Sequence, residues 1–226
     1  MNTPAVYLWI AHVPATPPSL AKIWEILPQN QDNQAYVAHL CRDTQPTAVI
    51  AQRLTALLAF LQALHTTAPD LCPHVHLHRK ESGQPYVTWE GMTPPPMAFS
   101  LSHTKKIGMC GLAFGIDSLG VDLEHTIPTV TAEKISRRYF AGDELAWLAQ
   151  GTHPTATSVT HLWTAKEALF KCGGYDALLA TNLTQAAGRY FWVGDIPAQD
   201  AAVCICTPTA TPTPILLATP SPVTWL

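Results

Sequence analysis

Two short segments carry residue types able to handle a metal and phosphates: Leu119-Gly-Val-Asp-Leu-Glu-His125 and Trp163-Thr-Ala-Lys-Glu-Ala-Leu-Phe-Lys171. The first has the alternation of a strand, so Asp122 and Glu124 project on one side while Val121 and Leu123 fill the other. Two carboxylates so placed suit a hard cation such as magnesium, which favours oxygen ligands and bridges one or two carboxylates to substrate phosphates. The second segment has helical spacing. Trp163, Glu167 and Lys171 recur every four residues and share one face, and Leu162, Ala165, Leu169 and Cys172 form the opposite, buried stripe. Together with Lys166, the two segments assemble three acids and two lysines. Each part also has a plainer reading. Asp122 and Glu124 would solvate an exposed strand face, and Glu167 four residues before Lys171 is an ordinary helix ion pair worth about 0.3–0.5 kcal/mol.

The paired motifs, in this order and some forty residues apart, resemble the signature of the 4′-phosphopantetheinyl transferases, in particular the monomeric surfactin-synthetase-activating type. Phe99-Ser-Leu-Ser-His103 upstream is similar to that family's Ser-His element. The likeness is close from about Phe99 to Lys171 and loose elsewhere. It implies an α+β protein of two similar α/β lobes related by a pseudo-twofold axis, residues 1–98 and 99–226, with the active site at the lobe interface and most catalytic residues in the second lobe. It implies transfer of 4′-phosphopantetheine from coenzyme A to a serine of an acyl or peptidyl carrier protein, with Mg2+ as cofactor and adenosine 3′,5′-bisphosphate as the second product.

By the same resemblance Glu144, in Arg138-Tyr-Phe-Ala-Gly-Asp-Glu144, completes the metal site with Asp122 and Glu124. Glu167 accepts the proton of the attacking hydroxyl, Lys171 stabilises phosphoryl oxygens or the leaving group, and Lys166 is grouped with them. Ser102 and His103 hold the nucleotide end of coenzyme A, Arg53 corresponds to an arginine that reaches its 3′-phosphate, and Trp163 joins the coenzyme site. One departure stands out: Gly83-Gln84-Pro85 occupies the place of a usual Gly-Lys-Pro, so a phosphate-binding lysine is missing, with Arg79 and Lys80 the nearby cations. The alternative on the same scaffold is a non-catalytic module that binds coenzyme A or a carrier protein. An unrelated two-metal phosphohydrolase is disfavoured, because no further His/Asp cluster supports a second metal.

Composition narrows the field. With only 13% charged residues and a net charge of −3, the chain has no electrostatic footprint for nucleic acid. The N-terminus lacks a basic n-region and no apolar run is expected to approach bilayer-spanning length, so the expectation is a cytoplasmic monomer away from membranes. The six cysteines show no Cys-x-x-Cys pairing, which argues against a structural zinc site and for buried apolar roles, with Cys204 and Cys206 on one face of a strand. His74, His76 and His78 alternate and read as an exposed polar strand face.

The elements that must position these residues are legible as patterns. Val6–Val13 reads as a strand, Thr47–His65 as an amphipathic helix, and His74–Lys80 with Tyr86–Trp89 as a hairpin across a Ser82–Pro85 turn. Thr93-Pro-Pro-Pro-Met97 is the expected domain boundary. Strands are expected at Phe99–Leu101, Ile107–Phe114 and Leu119–Glu124, then helices at Thr131–Tyr139 and Gly142–Gln150. Gly173-Gly174 should stop the motif helix, before strands at Tyr190–Val193, Ala201–Cys206 and the edge candidate Ile215–Ala218.

Overall fold

The computed structural model describes the chain except residues 1–4, 43, 82, 94–95, 150–155, 174–181, 187, 197–198, 211–214 and 219–226. Parts of the expected boundary and turn, together with Gln150, Gly174 and the 211–214 stretch, lie outside the described residues. The chain divides into two compact units, Met1–Asp117 with Pro212–Leu226, and Ser118–Thr211.

The first unit is built on a four-stranded sheet of order β4-β5-β1-β9, from β1 (Ala5–His12), β4 (Met97–His103), β5 (Ile107–Phe114) and β9 (Ile215–Ala218). β1 and β4 both run antiparallel to β5, while β9 pairs parallel with β1 at the edge. Because β4 and β5 hydrogen bond to β1's sheet, they belong with the first unit and not with the residues expected beyond 98. A separate hairpin joins β2 (Val75–Arg79) to β3 (Pro85–Trp89).

Helix α3 (Thr47–Thr67) is the centre of this unit's core. Leu54, Leu57, Phe60, Leu61 and Leu64 are all buried, and Phe60 stacks on Phe99 of β4 with centroids 4.4 Å apart. By length and composition α3 is apolar enough to span a bilayer, which corrects the expectation that no run approaches that length. Its burial, 61% of the most apolar window, is what a core helix requires. Two helices escaped the sequence reading, α1 (Leu20–Trp24) and α2 (Gln31–Leu40). Asn30 caps α2 by accepting from Asn33 N at 2.9 Å. Fully buried Asn33 then ties α2 to β2: its amide donates to Val75 O at 2.9 Å and its oxygen accepts from Leu77 N at 2.7 Å. A polar residue so placed satisfies backbone groups that burial would otherwise orphan.

The second unit has a three-stranded antiparallel sheet of order β6-β8-β7, from β6 (Gly120–His125), β7 (Tyr190–Ile196) and β8 (Ala201–Thr207). Helices α4 (Thr129–Tyr139), α5 (Gly142–Ala149) and α6 (Ala156–Cys172) complete it. The register sets Gly120, Asp122 and Glu124 of β6 opposite Cys206, Cys204 and Ala202 of β8, so these six residues share a face. That face receives α6. Leu162, Ala165, Leu169 and Cys172 are buried as the helical spacing requires, and Ala165, Ala168, Leu169 and Cys172 form one cluster with Cys204 and Cys206. Gly173, at φ +94, ends α6 in a conformation that glycine adopts without strain.

Candidate active site

Gly120 decides how close α6 comes to β6. A Cβ built there would lie 1.8 Å from Ala168 O and 2.6 Å from Cys172 N, so only a residue without a side chain permits this approach. Two and four residues along the same face stand Asp122 and Glu124, and one helical turn spans Glu167 to Lys171. The close packing therefore delivers the helix acid and lysine to the strand acids. Lys171 Nζ donates to Asp122 Oδ1 at 2.7 Å. This reaches across from helix to strand, beyond the helix pairing with Glu167 that its spacing alone would suggest.

The electrostatics mark these residues as one cluster. Burial raises the Glu167 carboxyl to about 7; the neighbouring charge of Asp122 adds to the rise, Lys171 opposes it and Glu124 adds again. Glu124 is likewise pushed up, first by burial and then by Asp122, although its carboxylate accepts from His125 N at 3.1 Å. Three acids, Asp122, Glu124 and Glu167, gather near one ammonium, a surplus of acid over base that suits a divalent cation. Among the described residues no three His, Cys, Asp or Glu side chains form a ready-made metal group. Magnesium does not require one: it retains waters and takes only one or two carboxylates beside substrate phosphates, a demand that Asp122 and Glu124 fit.

Glu144 and Lys166 are paired with one another. Lys166 Nζ donates to both oxygens of Glu144, at 2.8 and 3.0 Å, and both residues are 1% exposed. The Glu144 carboxylate also accepts from Ala141 N at 2.8 Å and Leu183 N at 3.0 Å, and the ammonium lies 5.8 Å from the Phe140 ring. So many partners make a buried charge pair tolerable and occupy it. It locks the start of α5 to α6 and to the short 3₁₀ turn Leu183–Gln185. Asp143 supports the same junction through Asn182 and Thr184. Glu167 is an acid beside Asp122 and Glu124, while the Glu144 carboxylate meets Lys166 and two backbone N–H groups. No sequence pattern signalled the Glu144–Lys166 pair, whose members are 22 residues apart.

Trp163 is partly buried and packs edge-on against Tyr139 of α4, with centroids 5.0 Å apart. The remaining expected residues belong to the first unit: Ser102 is buried near the end of β4, His103 is exposed beside it, and Arg53 is partly exposed on α3. Where a lysine was missing, Gln84 Oε1 accepts from Lys80 Nζ at 3.0 Å, and Arg79 donates to Gly83 O at 3.1 Å. Both cations line a cleft of about 480 Å³ together with His39, Arg42, His78 and Tyr86. The histidines expected on an open face are only partly so, since Asp32 of α2 packs there and lies 2.9 Å from His76 Nδ1.

Residues 118–193 match the family model of the 4′-phosphopantetheinyl transferase superfamily. Over this segment the chain is similar to that superfamily. The matched span begins where the second unit begins and contains Asp122, Glu124, Glu144, Lys166, Glu167 and Lys171, so these acids and lysines all fall inside the matched segment. Phe99–His103 and Arg53 lie outside it. No curated protein matches the chain.

Proposed function

We propose that this protein is a cytoplasmic, monomeric transferase that moves 4′-phosphopantetheine from coenzyme A to a serine of an acyl or peptidyl carrier protein. The observation that carries the reading is Glu167, a carboxyl raised to about 7 and set beside the Asp122–Lys171 pair within the superfamily segment. A carboxylate tuned near neutrality is suited to accept a proton at working pH.

In this reading Glu167 takes the proton of the carrier serine as its oxygen attacks the phosphorus bearing the pantetheine arm. The bond from that phosphorus to the bridging oxygen breaks, and adenosine 3′,5′-bisphosphate leaves. Lys171 opposes the charge spread over the phosphoryl oxygens. Asp122 and Glu124 would hold magnesium, which when bound supplies charge neutralisation at the pyrophosphate. Lys166 and Glu144 act by holding α6 in position. Ser102, His103 and Arg53 are assigned to the nucleotide end of coenzyme A.

The test is incubation of the protein with coenzyme A, magnesium and an apo carrier protein, followed by intact mass. Carrier mass should rise by one phosphopantetheine, and omission of magnesium should prevent it. No gain with any of several acyl and peptidyl carriers would overturn the reading in favour of a binding module.

A further inference from the structure

The seam between α6 and β6 continues past the acid cluster. Thr157, Thr160, Thr164, Glu167 and Lys171 follow one another at steps of three and four, so they form one row along α6. On the strand side Asp122, Glu124 and Thr126 alternate onto one face, and Thr126 N donates to Asp200 O at 3.1 Å, which carries the β6–β8 ladder one step beyond its His125–Ala201 pair. Helix and strand run antiparallel. Gly120 lies against Cys172 at one end, and Ile127 N donates to Thr160 Oγ1 at 2.9 Å at the other. At that second end the seam meets a cleft of about 360 Å³ lined by Thr126, Thr157, Thr160, His161, Asp195 and Asp200.

We propose that this cleft is the subsite for the pantetheine arm of coenzyme A, with Thr126, Thr157 and His161 as the residues that recognise it. The inference rests on the transferase reading above, which puts the pyrophosphate at Asp122, Glu124 and Lys171. Thr126 follows Glu124 by about 7 Å along the strand, and Thr160 precedes Glu167 by about 10 Å along the helix, so the cleft lies where a chain leaving the phosphate passes next.

The lining suits a neutral amide chain and not an anion. The arm carries a hydroxyl and two amides without formal charge, and the charged groups among the described lining residues are the carboxylates of Asp195 and Asp200 beside His161. Two carboxylates repel a phosphate, so the nucleotide end is turned away and the uncharged arm is admitted. His161 Nε2 donates to Asp195 Oδ1 at 2.7 Å, which fixes the ring and leaves Nδ1 of the neutral imidazole to accept. Thr126 Oγ1 donates to Asp200 Oδ1 at 2.7 Å and accepts on its own oxygen, while the exposed Thr157 hydroxyl does both. Thr160 is committed, donating to Ala156 O at 2.7 Å and accepting from Ile127 N, so it shapes the wall. Acceptors outnumber donors here, which matches a ligand that has one hydroxyl and two amide N–H groups to give.

The test measures, by calorimetry on the full chain with magnesium, the binding of coenzyme A and of adenosine 3′,5′-bisphosphate, which lacks the arm. Thr157→Val and His161→Ala should each weaken coenzyme A by about threefold to tenfold, the worth of one neutral hydrogen bond, and leave the bisphosphate unchanged. Equal loss for both ligands, or no loss for either, would overturn the assignment and leave the transferase reading standing. Failure of the unaltered chain to bind coenzyme A at all would instead overturn that reading, and the assignment with it. A second measurement needs no variant. Diethyl pyrocarbonate, read by peptide mass, should modify His161 in the unaltered chain when the bisphosphate is bound and spare it when coenzyme A is bound; equal modification in the two complexes would also overturn the assignment.

Discussion

In the first unit α3 lies on β5 where a Cβ on Gly108 would come within 2.7 Å of Ala56 N; in the second, α6 lies on β6 where a Cβ on Gly120 would meet Ala168 O at 1.8 Å. Both helices use a strand glycine and small helix residues to bring backbone against backbone. Their surfaces then diverge. Around α3 the buried set is Leu, Ala and Phe, with Thr55 satisfying its own hydroxyl on Ala51 O at 2.7 Å. On α6 the residues at the strand are Glu167 and Lys171, with Lys166 buried behind them. Close packing of a helix on a sheet is thus a general means of making a core, and it becomes a candidate active site only where the contact carries uncancelled charge. A carboxyl forced to about 7 is the mark of that difference.

The sharpest way to break the comparison is Glu167→Gln. It keeps the shape of α6 and removes one acid, so carrier modification at saturating magnesium should slow by about 10²–10⁴-fold while magnesium dependence persists. A wild-type rate would return Glu167 to the role of a helix ion-pair residue, no different in kind from the side chains of α3.

Next in size is the brace. Lys166→Met leaves the Glu144 carboxylate buried without its cation and should cost about 3–5 kcal/mol in urea unfolding. Adding Glu144→Leu should recover much of that loss, since two apolar residues need no mutual neutralisation. If the single variant loses activity without loss of stability, Lys166 takes part in the reaction and the brace reading fails.

The two glycines test the packing itself. Gly120→Ala and Gly108→Ala each overpack a helix–strand contact and should destabilise by about 1–3 kcal/mol, with Gly120 toward the upper end because its clash is with backbone at 1.8 Å. Among the chains that remain folded, Gly120→Ala should lose carrier modification out of proportion to its stability, because it displaces Glu167 and Lys171 from Asp122. Equal loss of activity per unit of stability in both variants would erase the distinction between the units.

The smallest effect is the pH dependence of stability. The Glu167 carboxyl binds its proton more tightly folded, at about 7, than unfolded, at the ordinary 4.5. Between these values the native state holds more protons than the unfolded state, so stability falls as pH rises through that window, by on the order of 1 kcal/mol after allowance for screening. Glu167→Gln should flatten this slope, and magnesium should oppose it in the unaltered chain. A slope equal in both proteins, read by thermal unfolding from pH 4.5 to 7, would place the strain elsewhere.

Much of the architecture was legible in the order of residues because it rests on local periodicity. Alternation announced β5, β6 and β8, helical spacing announced α3 and the buried stripe of α6, and the ordered pair of acidic and lysine motifs pointed to the superfamily that residues 118–193 match. Ile215–Ala218 was readable as a strand, but its parallel pairing with β1, some two hundred residues away, was not. Nor was the membership of β4 and β5 in the first unit's sheet, since hydrogen bonds between distant strands leave no periodic trace. The same holds for Asn33, whose two ends satisfy β2 backbone groups more than forty residues along.

What the sequence by itself determined was which residues are available for chemistry: Asp122 and Glu124 on one strand face, Glu167 and Lys171 on one helix face. Tertiary structure alone decided how they are divided. By fitting α6 over Gly120 it gave Lys171 to Asp122 and raised Glu167, and by burying Lys166 it matched that ammonium to Glu144, because a charge removed from water must find its opposite at contact distance. Residue type fixes what a group can do, and the geometry of burial fixes which of its partners it meets.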